Sequence, residues 1–521
     1  MDKNDTHEQR VYDQLKEYVI QDGNLINLGQ LLYFASQRFS DNIALINGDQ
    51  TISYRELFYR ACLFTLELQK KGIKPRDRVL LFFENSFEFY IGYYGIAQCG
   101  AIVAPLNTFL KERELSHIIN DAQPTLLVAS TLLLEKLTQD NIELTVPIVT
   151  QQDMDLHSEV DESICKPVPS YLASDEMAAL LYTSGTTGLP KGVMLSAKNI
   201  LTNCMQTIAR LGIVKEERVL GVLPFFHSFA QFTCVWAPFF LGCTVIIVRK
   251  IDRRYILEGL EHKPTMFMGV PALFGLMCLL QNAPLDSIVY FATGGDAMPD
   301  KIRGGFELIY QRKIAAGYGL SETSPVLTAD LEDVTEPTSN VGRPLLGVSI
   351  IIRDEHWVPV ANGTIGQIWV KGDNVMLGYY NEPTKTKEVF REGWFDTGDL
   401  GYFGPTGKLV VTGRLKDMIA HKGFKIYPQE VENVLLMHPN VLQAAVIGHV
   451  DEDVGEIPIA YVQIRTEQSS IKKELQEQCD RNLASYKVPR IFICTTSALP
   501  TTATGKVDKK VLKTQRLPEG F

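Results

Sequence analysis

Three short segments of this chain gather hydroxyls, glycines and single charges at spacings that suit a phosphorylated ligand. Tyr182 to Gly192 reads YTSGTTGLPKG: an apolar strand runs into Thr183, Ser184, Gly185, Thr186, Thr187 and Gly188, and Lys191 follows. Glycines let backbone N–H groups approach a polyanion, the hydroxyls add donors and the lysine supplies charge, so this reads as a phosphate-gripping loop. No GK[ST] closes it, so it is not a Walker A sequence. In GYGLSET (317–323) Gly317 and Gly319 leave room for a flat ring, and Tyr318 can stack on that ring. Ser321 can donate there, and Glu322 is a hard oxygen ligand suited to Mg²⁺. Taken alone, such a stretch is more often a loop with a surface acid. Thr293-Gly294-Gly295-Asp296 stands at a strand end, where α/β folds bind ligands.

Other candidates are ambiguous on their own. Asp399 in TGDLG would ordinarily be an Asx turn. Lys506, after Gly505, would ordinarily be a solvated tail charge, and Gly423 in HKGFK a helix or turn cap. His227 sits in Pro224-Phe225-Phe226-His227-Ser228. A buried Asp there would be needed by an ammonium group; a histidine among phenylalanines suits an uncharged tail. In an unknown fold it would more often be a satisfied core histidine.

These residues need a scaffold, and the hydrophobic rhythm supplies one. Ser53 and Glu56 form a capping-box pair ahead of Leu57, Ala61, Phe64 and Leu68 at helical spacing, with Gly72 as a stop. RVLLFF (78–83), AIVAP, TLLVAS, MAALLY, TVIIV, TMFMGV and SIVYFATGG read as short buried strands between amphipathic helices. That alternation means parallel sheets covered on both faces. Beyond about residue 345 the strands become shorter and alternating. After 414 comes a compact order: a helix opened by Pro428, strands near 442–448 and 458–464, a helix over 471–483 and the strand IFICTT. The expected fold is α/β: a large N-terminal domain of parallel, helix-covered sheets with a small β-rich part (1–413), then a small mobile α+β domain (414–521).

Taken in order, YTSGTTGLPKG, GYGLSET, WFDTGDLG (394–401), GRLKDMI (413–419) and PTTATGK (500–506) resemble the motif set of the adenylate-forming superfamily. That superfamily contains acyl-CoA synthetases, firefly luciferase and peptide-synthetase adenylation domains. The resemblance spans nearly the whole chain. It implies that Tyr318 lies against adenine, with the turn Gly294-Gly295-Asp296 beside it, and that Glu322 holds Mg²⁺ on the ATP phosphates. Asp399 would accept both ribose hydroxyls with Arg414 assisting. Lys506 would bridge the α-phosphate and the attacking carboxylate, Lys416 would be the hinge, and Gly423 would line the pantetheine tunnel. Ser321 replaces the usual Thr and keeps its hydroxyl. Ala420 stands where relatives often carry Lys, so any contact of that lysine is absent or comes from Lys422.

The activity so implied converts a carboxylic acid and ATP to acyl-AMP, then transfers the acyl group to coenzyme A. The phenylalanine-rich 225–240 segment and VPALFGLM (270–277) look most like medium- and long-chain fatty acyl-CoA synthetases, with His227 placing the carboxylate. Aryl-acid ligases share that histidine. Acyl transfer to a carrier protein, and a weakly catalytic fatty-acid trapping protein, are the other readings.

Composition bounds the remainder. The chain has 521 residues, 45% hydrophobic and 21% charged, with a net charge of −10. That is a globular composition with no basic surface for nucleic acid. Nine cysteines lie scattered without a CxxC pair, so neither a zinc site nor a disulfide framework is indicated, and reduced cytoplasm is the expected compartment. Val219–Val248 has no formal charge apart from His227, but Pro224 and Pro238 punctuate it. It reads as strand, loop, helix and strand, not as a membrane span; peripheral membrane contact stays open.

Overall fold

The computed structural model describes residues 3–139, 142, 144–154, 161, 163–164, 166–183, 189–213, 217–280, 283–330, 340–421, 424–451, 455–502 and 507–515. Two large sheets carry the N-terminal part. In the first, the order is Gly378–Tyr379, Lys191–Ser196, Met177–Thr183, Ile102–Pro105, Arg78–Phe82, Leu126–Ala129 and Ile148–Thr150. The last five run parallel, and Lys191–Ser196 turns back antiparallel on Met177–Thr183. In the second, a parallel centre of Ala315–Gly319, Tyr290–Thr293, Met266–Gly269, Arg218–Gly221, Thr244–Ile247 and Ile43–Asn47 is edged by antiparallel strands. Every residue of strands such as Ile102–Pro105, Leu126–Ala129 and Met266–Gly269 is buried, as expected of sheets covered on both faces.

Between the sheets lies the helix Phe87–Gln98, buried at every residue except Glu88. Tyr90, Tyr93 and Tyr94 on it meet Phe225, Trp236 and Phe239. Each tyrosine hydroxyl finds a partner: Tyr90 donates to the Cys234 carbonyl at 3.0 Å, and Tyr93 accepts from the Trp236 indole at 2.8 Å. Buried aromatics with a polar tip persist only under that condition. The uncharged stretch 219–248 is thereby resolved into strand, loop, a short helical segment and strand, with all of Gln231–Trp236 buried. Among the described residues no helix is long and apolar enough to cross a membrane.

Helix Tyr54–Lys70 begins where the sequence indicates, with the Ser53 hydroxyl accepting from the Glu56 N–H at 3.2 Å. The expected return bond of a capping box gives way to another partner, because the Glu56 carboxylate pairs with Arg60 at 2.9 Å. A five-stranded antiparallel sheet follows, comprising Ser349–Arg353, Gly366–Lys371, Trp394–Phe403, Phe390–Arg391 and Leu409–Arg414. A last five-stranded sheet, from Ile419–His421 to Ile491–Thr495, is packed with helices Pro428–Leu436 and Ile471–Asn482. Ile471, Leu475 and Cys479 face its core, as their spacing predicts.

Candidate functional site

Thr183 and Lys191, at the two ends of the glycine- and hydroxyl-rich segment, are opposite each other in the antiparallel ladder. Ser184, Gly185, Thr186, Thr187 and Gly188 lie outside the described residues, as do Gly423, Lys422 and Lys506. Lys191 projects from the hairpin base and its Nζ stands 5.0 Å above the Tyr379 ring. The Tyr379 hydroxyl donates to Glu322 Oε1 at 3.0 Å. Burial, with the Glu322 charge next, pushes the Tyr379 pKa up, so this hydroxyl stays a donor at neutral pH. Lys191 and Glu322, 131 positions apart in sequence, are thus brought to either side of one tyrosine.

GYGLSET runs along the strand Ala315–Gly319 into the turn Ser321–Thr323. A Cβ on Gly319 would lie 1.7 Å from the Pro325 carbonyl oxygen, so only glycine permits this crossing. Three buried asparagines hold the turn. Asn374 Nδ2 donates to the carbonyls of Thr323 at 3.0 Å and Val326 at 3.2 Å. Asn203 Nδ2 bonds the Val326 carbonyl and its Oδ1 takes the Val326 N–H. Asn199, one turn earlier on the helix Ala197–Leu211, secures the carbonyls of Asp373 and Val375. The Met376 N–H then bonds the carbonyl of Glu322 itself at 2.8 Å. Side-chain amides bonded to the turn's backbone in this way favour one geometry, which the Glu322 carboxylate inherits, although Asn374 Oδ1 is itself buried without a partner.

Asp399 is not an Asx turn. Its neighbour Asp396 takes that role, accepting from the Gly398 N–H at 2.9 Å. Asp399, with its side chain 7% exposed, receives the Tyr318 hydroxyl at 2.6 Å on Oδ2 and lies 3.2 Å from Arg414 Nε through Oδ1. The pairing Asp399↔Arg414 in the sheet ladder sets that approach. Burial and then the Asp399 charge hold the Tyr318 hydroxyl protonated, while Asp399 raises the Arg414 pKa further. Lys416, two residues on, feels burial and the like charge of Arg414, and its pKa falls to about 8.

The acyl candidate comes to the same place. His227 precedes the short helix Ser228–Ala230, and its Nδ1 accepts from the Phe229 N–H at 3.3 Å. Ser228, buried, shares a hydrogen bond of 2.9 Å with Ser321, tying the histidine loop to the nucleotide motif. Asn85 braces that loop, accepting from the Phe225 N–H and donating to the Leu223 and Val248 carbonyls. The Phe229 ring packs against Gly294, which also lies near the Gly317 carbonyl. Gly295 takes φ +80°, while Asp296 is exposed and accepts its neighbour Ala297's N–H. Ala420 offers its N–H to Glu456 at 2.9 Å.

Sequence reasoning missed Tyr379, Ser228, Asn85, Asn203 and Asn374. A faint signal existed: the asparagines of GDNVM and LTNCM are each followed by two apolar residues, and an amide drawn into such packing needs buried partners. Among the described residues no group of three or more His, Cys, Asp or Glu converges on a point. A single carboxylate, Glu322, is what a Mg²⁺ carried mainly by phosphate oxygens requires, so the residues present fit that ion.

This fold and clustering have relatives. Residues 33–380 match the AMP-binding enzyme family and residues 430–506 match the AMP-binding enzyme C-terminal domain. The chain belongs to this family of adenylate-forming enzymes. It is 32% identical over 525 residues to a long-chain-fatty-acid–CoA ligase of Bacillus subtilis, covering 93% of this chain and 94% of that one. It is 29% identical over 508 residues to 4-coumarate–CoA ligase 1 of Petroselinum crispum, covering 91% of each. Among solved structures, o-succinylbenzoate coenzyme A synthetase of B. subtilis in complex with ATP and magnesium ion superposes with TM-score 0.82 at 29% identity, over 92% and 98% of the chains. MatB of Rhodopseudomonas palustris, also 29% identical, covers 94% of this chain and 98% of its own in two states. The ATP-bound structure gives TM-score 0.84 and the apo structure 0.72.

Proposed function

We propose that this enzyme activates a medium- or long-chain fatty acid with ATP and ligates it to coenzyme A. The carrying observation is the uncharged stretch around His227. From Val219 to Val248 the sequence offers no carboxylate and no cation besides that histidine, and Phe225, Phe226 and Phe229 flank it. An α-ammonium would find no counter-charge in that stretch; an alkyl chain gains ~0.8 kcal/mol for each methylene it buries. The likeness to a long-chain ligase supports the same reading.

In the first step a carboxylate oxygen attacks the α-phosphorus of ATP. The O–P bond forms, the bond to the β-phosphate bridge breaks, and pyrophosphate leaves with the electron pair. Asp399 and Arg414 hold the ribose end, and Tyr318 packs beside adenine. Lys191 and the 183–188 loop take the outer phosphates, while Lys506 offsets repulsion between the two anions. Mg²⁺, when bound at Glu322, neutralises phosphate charge. His227 orients the carboxylate. In the second step the thiol sulfur of coenzyme A attacks the acyl carbon, its proton leaves to solvent, and AMP departs. The residues after 414 turn about Lys416 between the steps, and Gly423 then borders the pantetheine arm.

The test is pyrophosphate release from MgATP with acetate, octanoate, palmitate, coumarate and mixed amino acids, each with and without coenzyme A. Release dependent on octanoate or palmitate, with turnover dependent on coenzyme A, supports the proposal. Preference for coumarate makes it an aryl-acid ligase. Release indifferent to coenzyme A points to a carrier-protein acceptor, and silence with every acid to a trapping protein.

A further inference from the structure

Helix Asp300–Tyr310 starts four residues after Asp296, and the side chain of its second residue reaches across to the C-terminal part. Lys301 Nζ donates to the His438 carbonyl at 3.2 Å and the Val441 carbonyl at 2.8 Å, both beyond residue 414. The receiving turn is pre-formed. The Val441 N–H already bonds the His438 carbonyl at 3.0 Å. The His438 ring accepts the Asn440 N–H through Nδ1 and meets Glu474 Oε2 through Nε2 at 3.2 Å. Asn440 in turn exchanges bonds with the Thr466 backbone. The turn closes the C-terminal end of helix Pro428–Leu436, where carbonyls carry the negative end of the helix dipole and a cation is favoured.

Two further charges cross the same boundary. Lys425 stands 3.7 Å from Glu355, both well exposed, a pair worth little. Lys509, paired with Glu432 at 2.6 Å, also feels Asp417 and the Asp296 carboxylate. The segment just after Lys506 therefore faces the nucleotide turn. Thr501 and Val507, which bracket Lys506 in sequence, form an antiparallel bridge. The structure also superposes better on ATP-bound than on apo MatB.

We propose that Lys301 is a positioning residue that latches the C-terminal part in the arrangement seen here, the one in which acid and ATP react. The inference rests on the two-step reading above. Of the boundary contacts described, Lys301 alone gives two charge-assisted bonds to backbone carbonyls, which cannot swing away as side chains do. Its bonds hold the C-terminal part in this arrangement during adenylation, and both must break before that part can turn. Lys301 touches no reacting atom and acts only through this docking.

The experiment is Lys301→Met, which keeps the aliphatic stem, with Lys301→Arg as the conservative variant. Because Lys301 is exposed, neither change removes a core contact. Two half-reactions are timed separately: pyrophosphate release from ATP and acid, and thioester formation from supplied acyl-AMP and coenzyme A. The ratio of the first rate to the second falls about tenfold in Lys301→Met, as loss of charged hydrogen bonds implies, and Arg restores most of it. An unchanged ratio, including equal loss of both steps, overturns the latch. If the unsubstituted enzyme releases no pyrophosphate with any acid, the two-step reading fails instead. The latch is then decided by the distance between spin labels at Leu308→Cys and Val450→Cys, both highly exposed. Broadening of that distance by Lys301→Met upholds the latch, and an unaltered distribution removes it.

Discussion

The hydrogen bond between Tyr318 and Asp399 invites a double-substitution cycle. Asp399 is buried, its two oxygens divided between Tyr318 at 2.6 Å and Arg414 at 3.2 Å. If Asp399 receives the ribose hydroxyls, its aim depends on those donors. Tyr318→Phe keeps the ring but leaves a buried anion short of one donor, which costs about 1.5–3 kcal/mol. MgATP affinity should then weaken about 10- to 150-fold. In an Asp399→Asn background the acceptor is neutral, and the same substitution should weaken binding by only about 2- to 13-fold, a neutral bond being worth roughly half to one and a half kcal/mol. A coupling on the order of 1 kcal/mol is the signature. It should be flat from pH 6 to pH 9, because burial and Asp399 keep the Tyr318 hydroxyl protonated well above its ordinary range. The assay is nucleotide affinity by calorimetry on the four proteins. Equal factors in both backgrounds would show that Tyr318 works through its ring alone, and the positioning argument would be wrong.

Three other outcomes are expected. Lys506→Ala should lower adenylation by orders of magnitude while sparing thioester formation from supplied acyl-AMP; equal loss of both steps would refute the division of labour. Gly319→Ala forces a carbon to within 1.7 Å of the Pro325 oxygen and should cost ~3 kcal/mol or more, read as an earlier denaturant midpoint. Gly304→Ala, with nothing within 4 Å, is the control, and equal midpoints would contradict the geometry. Lys416, with a pKa near 8, has a neutral fraction at pH 8 ~100-fold above that of an ordinary lysine. Brief acylation followed by mass spectrometry should find it labelled well ahead of the median lysine, and Arg414→Met should slow that labelling. The sign on stability follows: its folded pKa is depressed, so deprotonation between about 8 and the ordinary lysine value favours this arrangement as pH rises. Labelling of Lys416 at the median rate would remove the argument.

The hydrophobic rhythm and the ordered motifs carried most of what this chain is. Short apolar strands between helices dictate covered parallel sheets, because each strand must bury both faces. A glycine- and hydroxyl-rich segment after such a strand is the reason to propose an anion site there, because backbone donors need glycine to come close. The absence of any acid between Val219 and Val248 is likewise a property of the sequence alone.

Other features needed the fold. Asp396 and Asp399 stand in the same turn of sequence, and nothing local says which one turns inward; the strand pairing that sets Arg414 against Asp399 decides it. Tyr379 gained its place between Lys191 and Glu322 only because the strand Gly378–Tyr379 pairs with Lys191–Ser196 across the sheet edge. The glutamate in the Ser53 cap prefers Arg60, a neighbour one helical turn away, to the backbone it was expected to cap. Asn374 and Asn203 look like loop and helix polar residues until the packed turn at 321–326 removes water from around them. Residue types and their order are written in the chain and set what chemistry is available. Which of two similar side chains is desolvated, and beside which charge, depends on contacts between residues separated in the sequence, from Asp399 with Arg414 to Lys191 with Tyr379, and only the folded structure fixes those.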